Sequence, residues 1–166
     1  MDVDHPQANQ AWDRDARGET EVQRLDRNWS SLLQELRVVQ TGVQLLTGFM
    51  LTLPFQPRFD LLDEGMRIVY LASVGCAVAA TVLLVAPVGL HRVLFRQRRL
   101  ASLVAAAHRL AYAGLLLLGA ALVGMTVIVF DAVAGHQTAY IAGSVATAAF
   151  AMFWVVVPVV IRVSHR

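Results

Sequence analysis

Residues 68–90, 110–130 and 140–161 contain no Asp, Glu, Lys, Arg or His, and a small domain folded in water has no core large enough to absorb three such runs. Each is long enough to cross the ~30 Å hydrocarbon core of a bilayer as a helix, which takes ~20 residues at about 1.5 Å per residue. Residues 38–57 lack the same five residue types, but Gln, Thr and Pro interrupt their apolar character. Composition agrees with the pattern: 57% of the 166 residues are hydrophobic and 16% are charged, with a mean hydropathy of +0.55, too apolar for an ordinary soluble domain of this size. The fold class predicted is all-α, a polytopic integral membrane protein. Its four-helix transmembrane bundle is expected to have spans at about 32–53, 61–90, 101–131 and 139–161.

All 14 basic residues are arginine. With both termini cytoplasmic, Arg58 and Arg67 alone fall outside, and the other twelve lie in the tail, at the inner ends of spans 1 and 3 (Arg37 and Arg109), between spans 2 and 3, or at the C-terminus. That bias satisfies the positive-inside rule. Residues 1–28 mix Asp, Glu, Gln and Arg with few large apolar groups, which predicts a disordered, charged cytoplasmic tail rather than a cleavable signal. The transmembrane domain is expected over 29–166, with Trp29 as an interfacial anchor and Ser31 and Gln34 as a capping box.

Pro54 and Pro57 should stop the first helix, since each lacks an N–H and biases the preceding residue away from helical geometry. Asp60 is the expected N-cap of the second helix, with Asp63 and Glu64 near its positive end and Asp63 pairing with Arg67 at i+4. Pro87 is placed to kink the end of that helix.

The polar groups of the first span are the most specific feature. On a helix, Arg37, Gln40, Thr41, Gln44, Thr47, Gly48 and Thr52 follow steps of three or four and share one face. An unsatisfied amide facing lipid costs several kcal/mol, so this seam should look into the bundle, toward a partner, or onto water. Three readings stand open: bonds to neighbouring helices, contact with a symmetry mate or another membrane protein, and the lining of a pore.

At one end of the seam Glu35 and Arg37 should share a depth with His91, Arg92, His108 and Arg109, forming a charged cluster at the inner mouth. Arg92, Arg96, Arg98 and Arg99 are placed to contact lipid phosphate of the anionic inner leaflet. Ala72, Cys76 and Ala80, Ala120 and Gly124, and Ala139, Gly143, Thr147 and Ala151 recur at four-residue spacing, which suits close helix packing in a bilayer. Cys76 reads as a small packing residue within the second span.

No phosphate loop, paired-cysteine metal motif, nucleophile elbow or zinc-protease motif is present, so the sequence predicts no enzyme, no cofactor and no metal site. The basic segment is too short and too near a span to indicate nucleic acid.

The stretches "LLQELRVVQTGVQLL", "LTLPFQPRF" and "PVGLHRVLFR" resemble an uncharacterised family of small actinobacterial four-helix membrane proteins, a domain of unknown function, over roughly residues 29–132. Some members carry an automatic label of sodium:proton antiporter. The resemblance implies four helices and a bacterial plasma membrane. Carrier-type proton coupling relies on ionisable groups near the midplane, and none is present in the uncharged spans.

The function expected is therefore a non-enzymatic assembly unit that forms a homo-oligomer, or an accessory subunit of a larger membrane complex, through the seam on helix 1. The alternative is a homo-oligomeric ion channel or small transporter with helix 1 lining the pore.

Overall fold

Helix α1, Glu21–Thr52, begins well before the predicted start at Leu32. In the computed structural model, which describes residue 18 and residues 20–57, 59–94 and 100–164, the cap is Thr20. Its hydroxyl accepts the Gln23 N–H at 3.4 Å, and the Gln23 side-chain oxygen accepts the Thr20 N–H at 2.9 Å. This is the reciprocal capping box expected at Ser31 and Gln34, moved to an earlier Thr-x-x-Gln.

The amphipathic period explains the extension. Trp29, Leu32, Leu36, Val43 and Met50 are all buried and follow helical spacing, so the apolar ridge reaches back to Trp29, and α1 itself runs on into the segment expected to be disordered. Trp29 is 6% exposed and clusters with Leu32, Leu36, Leu84, Ala107 and Ala111. It anchors α1 to its neighbours, not to an interface.

Two single-turn 3-10 helices, Leu53–Phe55 and Phe59–Leu61, lead into α2, Glu64–Leu94. Asp63, not Asp60, closes the start of α2, its Oδ1 accepting the Met66 N–H at 2.8 Å. Arg67 does not pair with Asp63. Its Nε donates to the Leu62 carbonyl at 3.1 Å and its terminal nitrogen to the Asp60 carbonyl at 3.3 Å, which ties down the turn.

Helix α3, Leu100–Ala134, and α4, His136–Ala151, are joined through Gly135 alone, shorter than the expected turn. Gly135 has φ 83° and ψ 170°, a region open essentially to glycine. A π-helical turn, Met152–Val156, then continues into α5, Val157–Ser164. Together α4, the π turn and α5 make the fourth long rod.

Among the described residues, four segments are long and apolar enough to cross a membrane: Asp26–Phe55, Glu64–Gly89, Ala106–Ala134 and His136–Ile161. Successive helices are antiparallel, as the pairings Met50 with Tyr70, Ser73 with Gly124 and Val127 with Gly143 establish.

The α2–α3 pair is the centre. An added Cβ on Gly124 would lie 1.9 Å from Ser73 Oγ, and one on Gly114 2.9 Å from Leu84 Cγ, so glycine is needed at both close approaches. The buried row on α2 is Ser73, Ala77, Ala80 and Leu84, in steps of four, three and four. The expected row Ala72, Cys76, Ala80 meets the contact fully only at Ala80 because each four-residue step drifts by roughly 40°. Ala72 is exposed and Cys76 half-buried. The same drift leaves Ala139 and Gly143 buried on α4 while Thr147 and Ala151 are exposed.

Helix α1 packs on α2 and α3, and the fourth rod packs on α3. In the most apolar 18-residue window of the fourth rod 0% of the residues are buried, against 28% for α2. The arrangement is open on that side, not a closed four-helix bundle.

Candidate functional site

The polar seam of α1 divides in two. Gln40 and Thr47 are half-buried beside the Leu36, Val43, Met50 ridge, whereas Arg37, Thr41, Gln44, Gly48 and Thr52 are exposed. At 100° per residue the second group lies ~100° or more from the ridge, so it faces away from the rest of the chain. The seven seam positions occupy one arc of roughly 140° at 100° per residue: Gln40 and Thr47 form its edge on the ridge flank, and the others its outer side.

Hydroxyls and amides on this helix differ in how they are satisfied. Thr41, Thr47 and Thr52 donate to the carbonyls of Arg37, Val43 and Phe49 at 3.1, 2.8 and 2.7 Å, bonds within their own helix that carry no contact information. Gln40 Nε2 reaches across to the Leu84 carbonyl at 2.8 Å. Gln44 has no hydrogen-bond partner among the described residues.

Among the described residues, three bonds run from a side chain to a backbone carbonyl of another long helix: Gln40 to the Leu84 carbonyl, the Tyr70 hydroxyl to the Met50 carbonyl at 2.9 Å, and the Tyr112 hydroxyl to the Trp154 carbonyl at 3.1 Å. All three acceptors precede a proline. Pro54 and Pro158 stand four residues after Met50 and Trp154, where an ordinary residue would supply the i+4 N–H, and Pro87 stands three after Leu84 in the turn its ring disturbs. A neighbouring helix thus supplies donors where proline removes or displaces them, which is how proline is tolerated inside apolar helices. The π turn at Met152–Val156 lies immediately before Pro158, a further local adjustment of the same kind.

At the end bearing the chain termini, Glu35, Arg37 and Arg109 are exposed and His108 half-buried, and no ion pair joins these four. His91 and Arg92 lie on α2, but their side chains are outside the described residues, as are Arg96, Arg98 and Arg99 altogether.

The opposite end carries a cluster that sequence reasoning missed. His136, at the start of α4, lies with Nε2 3.1 Å from Asp63 Oδ2 and with Nδ1 against Asp131 Oδ1. One imidazole bridges the cap of α2 and the last turn of α3. Each ring nitrogen thus faces a carboxylate oxygen. Because the two carboxylates approach opposite edges of the ring they do not converge on one point, and no group of three metal-ligand side chains does so among the described residues. The only sequence signal was an Asp and a His either side of Gly135, and the third member is distant in sequence.

Below this clasp a lateral groove of about 630 Å3 runs between α2, α3 and the fourth rod. Ala72 and Cys76 form one wall, Ala120 and Val123 the floor, and Thr147 and Trp154 the other wall.

No curated protein and no solved structure matches the sequence. A family model does, over residues 18–158, from just before the Thr20 cap to the third of the compensated prolines. The chain belongs to that family, the family of unknown function DUF6328.

Proposed function

We propose that the chain is a multi-pass plasma-membrane protein with both termini cytoplasmic, and that it acts as a non-enzymatic assembly unit by pairing with a second copy along the outer stripe of α1. The observation that carries this is Gln44: exposed, within a span long enough to cross a membrane, and without a hydrogen-bond partner among the described residues. In hydrocarbon such an amide carries an unmet demand for both a donor and an acceptor.

A second Gln44 answers that demand with the same two groups, so a two-fold interface is self-complementary. Gly48 is exposed on the same side, one turn from Gln44, and an added Cβ there meets nothing within 4 Å, leaving room for a partner backbone to approach. Thr41 and Thr52 have their hydroxyls satisfied internally and tolerate burial in the contact. The arginines at the terminal end suit anionic lipid phosphate on the cytoplasmic side.

Disulfide trapping in native membranes tests the interface. With Cys76→Ala as background, Gly48→Cys should cross-link between copies, while Leu46→Cys, on the half-buried side, should not. Equal trapping at both positions, or none at Gly48→Cys, contradicts the pairing.

The second reading, a homo-oligomeric channel with α1 lining the pore, is favoured by the continuity of Arg37, Thr41, Gln44 and Thr52 along one exposed side. Ion flux through purified protein in liposomes, lost on Gln44→Leu, would select it over a purely structural pairing.

A further inference from the structure

We propose that the groove between α2, α3 and the fourth rod is a binding site for one acyl chain of a zwitterionic, amine-bearing phospholipid, whose headgroup lies at the Asp63–His136–Asp131 clasp. The inference rests on the membrane reading above but not on the pairing through α1.

The groove and the clasp are one construction. Asp63 caps α2, Asp131 ends α3 and His136 begins α4, so the clasp takes one residue from each of the three elements that form the groove. It also lies directly beyond the groove's end: Asp131 is one turn past Val127 and His136 one turn before Tyr140, and both Val127 and Tyr140 line the groove. The tie from α2 to the fourth rod is the Asp63–His136 contact; below it the two walls stand apart.

The lining selects hydrocarbon. Ser73 and Thr147 donate to the carbonyls of Val69 and Gly143, each at 2.7 Å, so neither seeks a polar ligand. Farther along, Phe150 and Trp154 stack edge to face, with ring centroids 4.9 Å apart, against Gly119, where a Cβ would lie 3.4 Å from the Trp154 ring. From Tyr140 to Val155 the wall is about 22 Å long at 1.5 Å per residue, beyond the ~15 Å share of one leaflet in a ~30 Å core. A single extended chain fits that length.

Charge identifies the headgroup. Asp60, Asp63, Glu64 and Asp131 ring the clasp end. Among the described residues His136 and Arg67 stand against them, with the Arg67 guanidinium committed to the carbonyls of Leu62 and Asp60; Arg58, in the turn before Asp60, lies outside the described residues. An ammonium is attracted to this rim, and a headgroup of net negative charge is repelled. The exposed Tyr140 ring stands at the same end, where an amphipathic side chain meets the headgroup region.

The test uses the full chain in nanodiscs containing phosphatidylethanolamine with a photoreactive diazirine in its acyl tail, with labelled peptides mapped by mass spectrometry. Labelling should concentrate on α3 and fourth-rod peptides around Ala120, Val123 and Thr147. It should fall several-fold in Ala120→Phe and in Ala72→Phe, two exposed positions whose added rings fill the groove, while labelling of α1 stays unchanged. The same diazirine on phosphatidylglycerol should label the groove several-fold less.

Even labelling of all lipid-facing surfaces, or groove labelling insensitive to both substitutions, overturns the site. Equal labelling by the two lipids overturns the headgroup assignment, and a cross-link from groove to a second copy of the chain makes it a protein interface. Gln44→Leu should leave groove labelling intact, so failure of α1 pairing and failure of the lipid site are read separately. Extraction of the chain by alkaline carbonate would instead overturn the membrane reading beneath both.

Discussion

The contact between α2 and α3 and the contact between α3 and the fourth rod are both antiparallel and both use glycine, yet they are built differently. Along α2–α3 a continuous row of Ser73, Ala77, Ala80 and Leu84 meets Ala107, Ala111, Gly114, Ala121 and Gly124. The fourth rod touches α3 closely where Gly143 meets Val127 and where Gly119 meets Phe150 and Trp154. Between these points its face opens into the groove. The comparison teaches that small residues bring helices together only when their spacing alternates between three and four; an unbroken four-residue repeat leaves the contact by drift.

The largest effect should come from the tight side. Gly124→Val forces a branched side chain against Ser73, whose hydroxyl already serves the Val69 carbonyl, and should cost about 3 kcal/mol, at the upper end of overpacking effects. Ser73→Gly should recover part of that loss; unfolding in mixed detergent micelles measures both. If Gly124→Val unfolds no more readily than the wild type, the α2–α3 pair is not the centre of stability.

Tyr70→Phe comes next. It removes the buried donor to the Met50 carbonyl, which Pro54 deprives of its i+4 partner, and should cost about 1–2 kcal/mol. Gln40→Leu removes the bond to the Leu84 carbonyl and should cost ~0.6 kcal/mol, the average for such bonds between membrane helices, and at most ~1.7 kcal/mol. A double substitution at Pro87 and Gln40, Pro87→Ala with Gln40→Leu, sharpens the point: replacing the proline should reduce the cost of losing the amide.

Tyr112→Phe should be milder, at about 0.5 kcal/mol, because its hydroxyl is exposed and the fourth rod is less embedded. Its effect should appear as faster hydrogen exchange around Trp154, not as a lower global midpoint. An exchange pattern unchanged in the fourth rod would remove the distinction between the two contacts.

Much of the architecture was legible in the sequence, because uncharged runs and prolines act locally. The four helices, the stop at Pro54 and the restart near Asp60 to Glu64 follow from hydropathy and backbone chemistry. The start of α1 was misplaced because two capping patterns, Thr20 with Gln23 and Ser31 with Gln34, precede the same apolar ridge, and Trp29, which lies between them, is buried in a cluster with residues of α2 and α3.

Gln40 and Gln44 were legible as a polar seam but not as opposites. One helical turn separates them, and only the position of the Leu84 carbonyl, far along the chain, turns the first inward. Tyr70 and Tyr112 were invisible for the same reason: a tyrosine in an apolar helix reads as an aromatic until the proline-vacated carbonyl opposite it is placed. His136 joins two carboxylates from separate helices, a constellation no spacing rule contains.

Gln40 and Gln44 also define the most direct test of the account, the native mass of the gently solubilised protein with either glutamine replaced by leucine. Gln40→Leu should keep the wild-type dimeric mass while lowering stability, and Gln44→Leu should give the monomer with its stability intact. A wild-type protein of monomeric mass, or a Gln44→Leu variant that keeps the dimeric mass, would contradict the claim that α1 turns one glutamine to its own chain and the other to a partner.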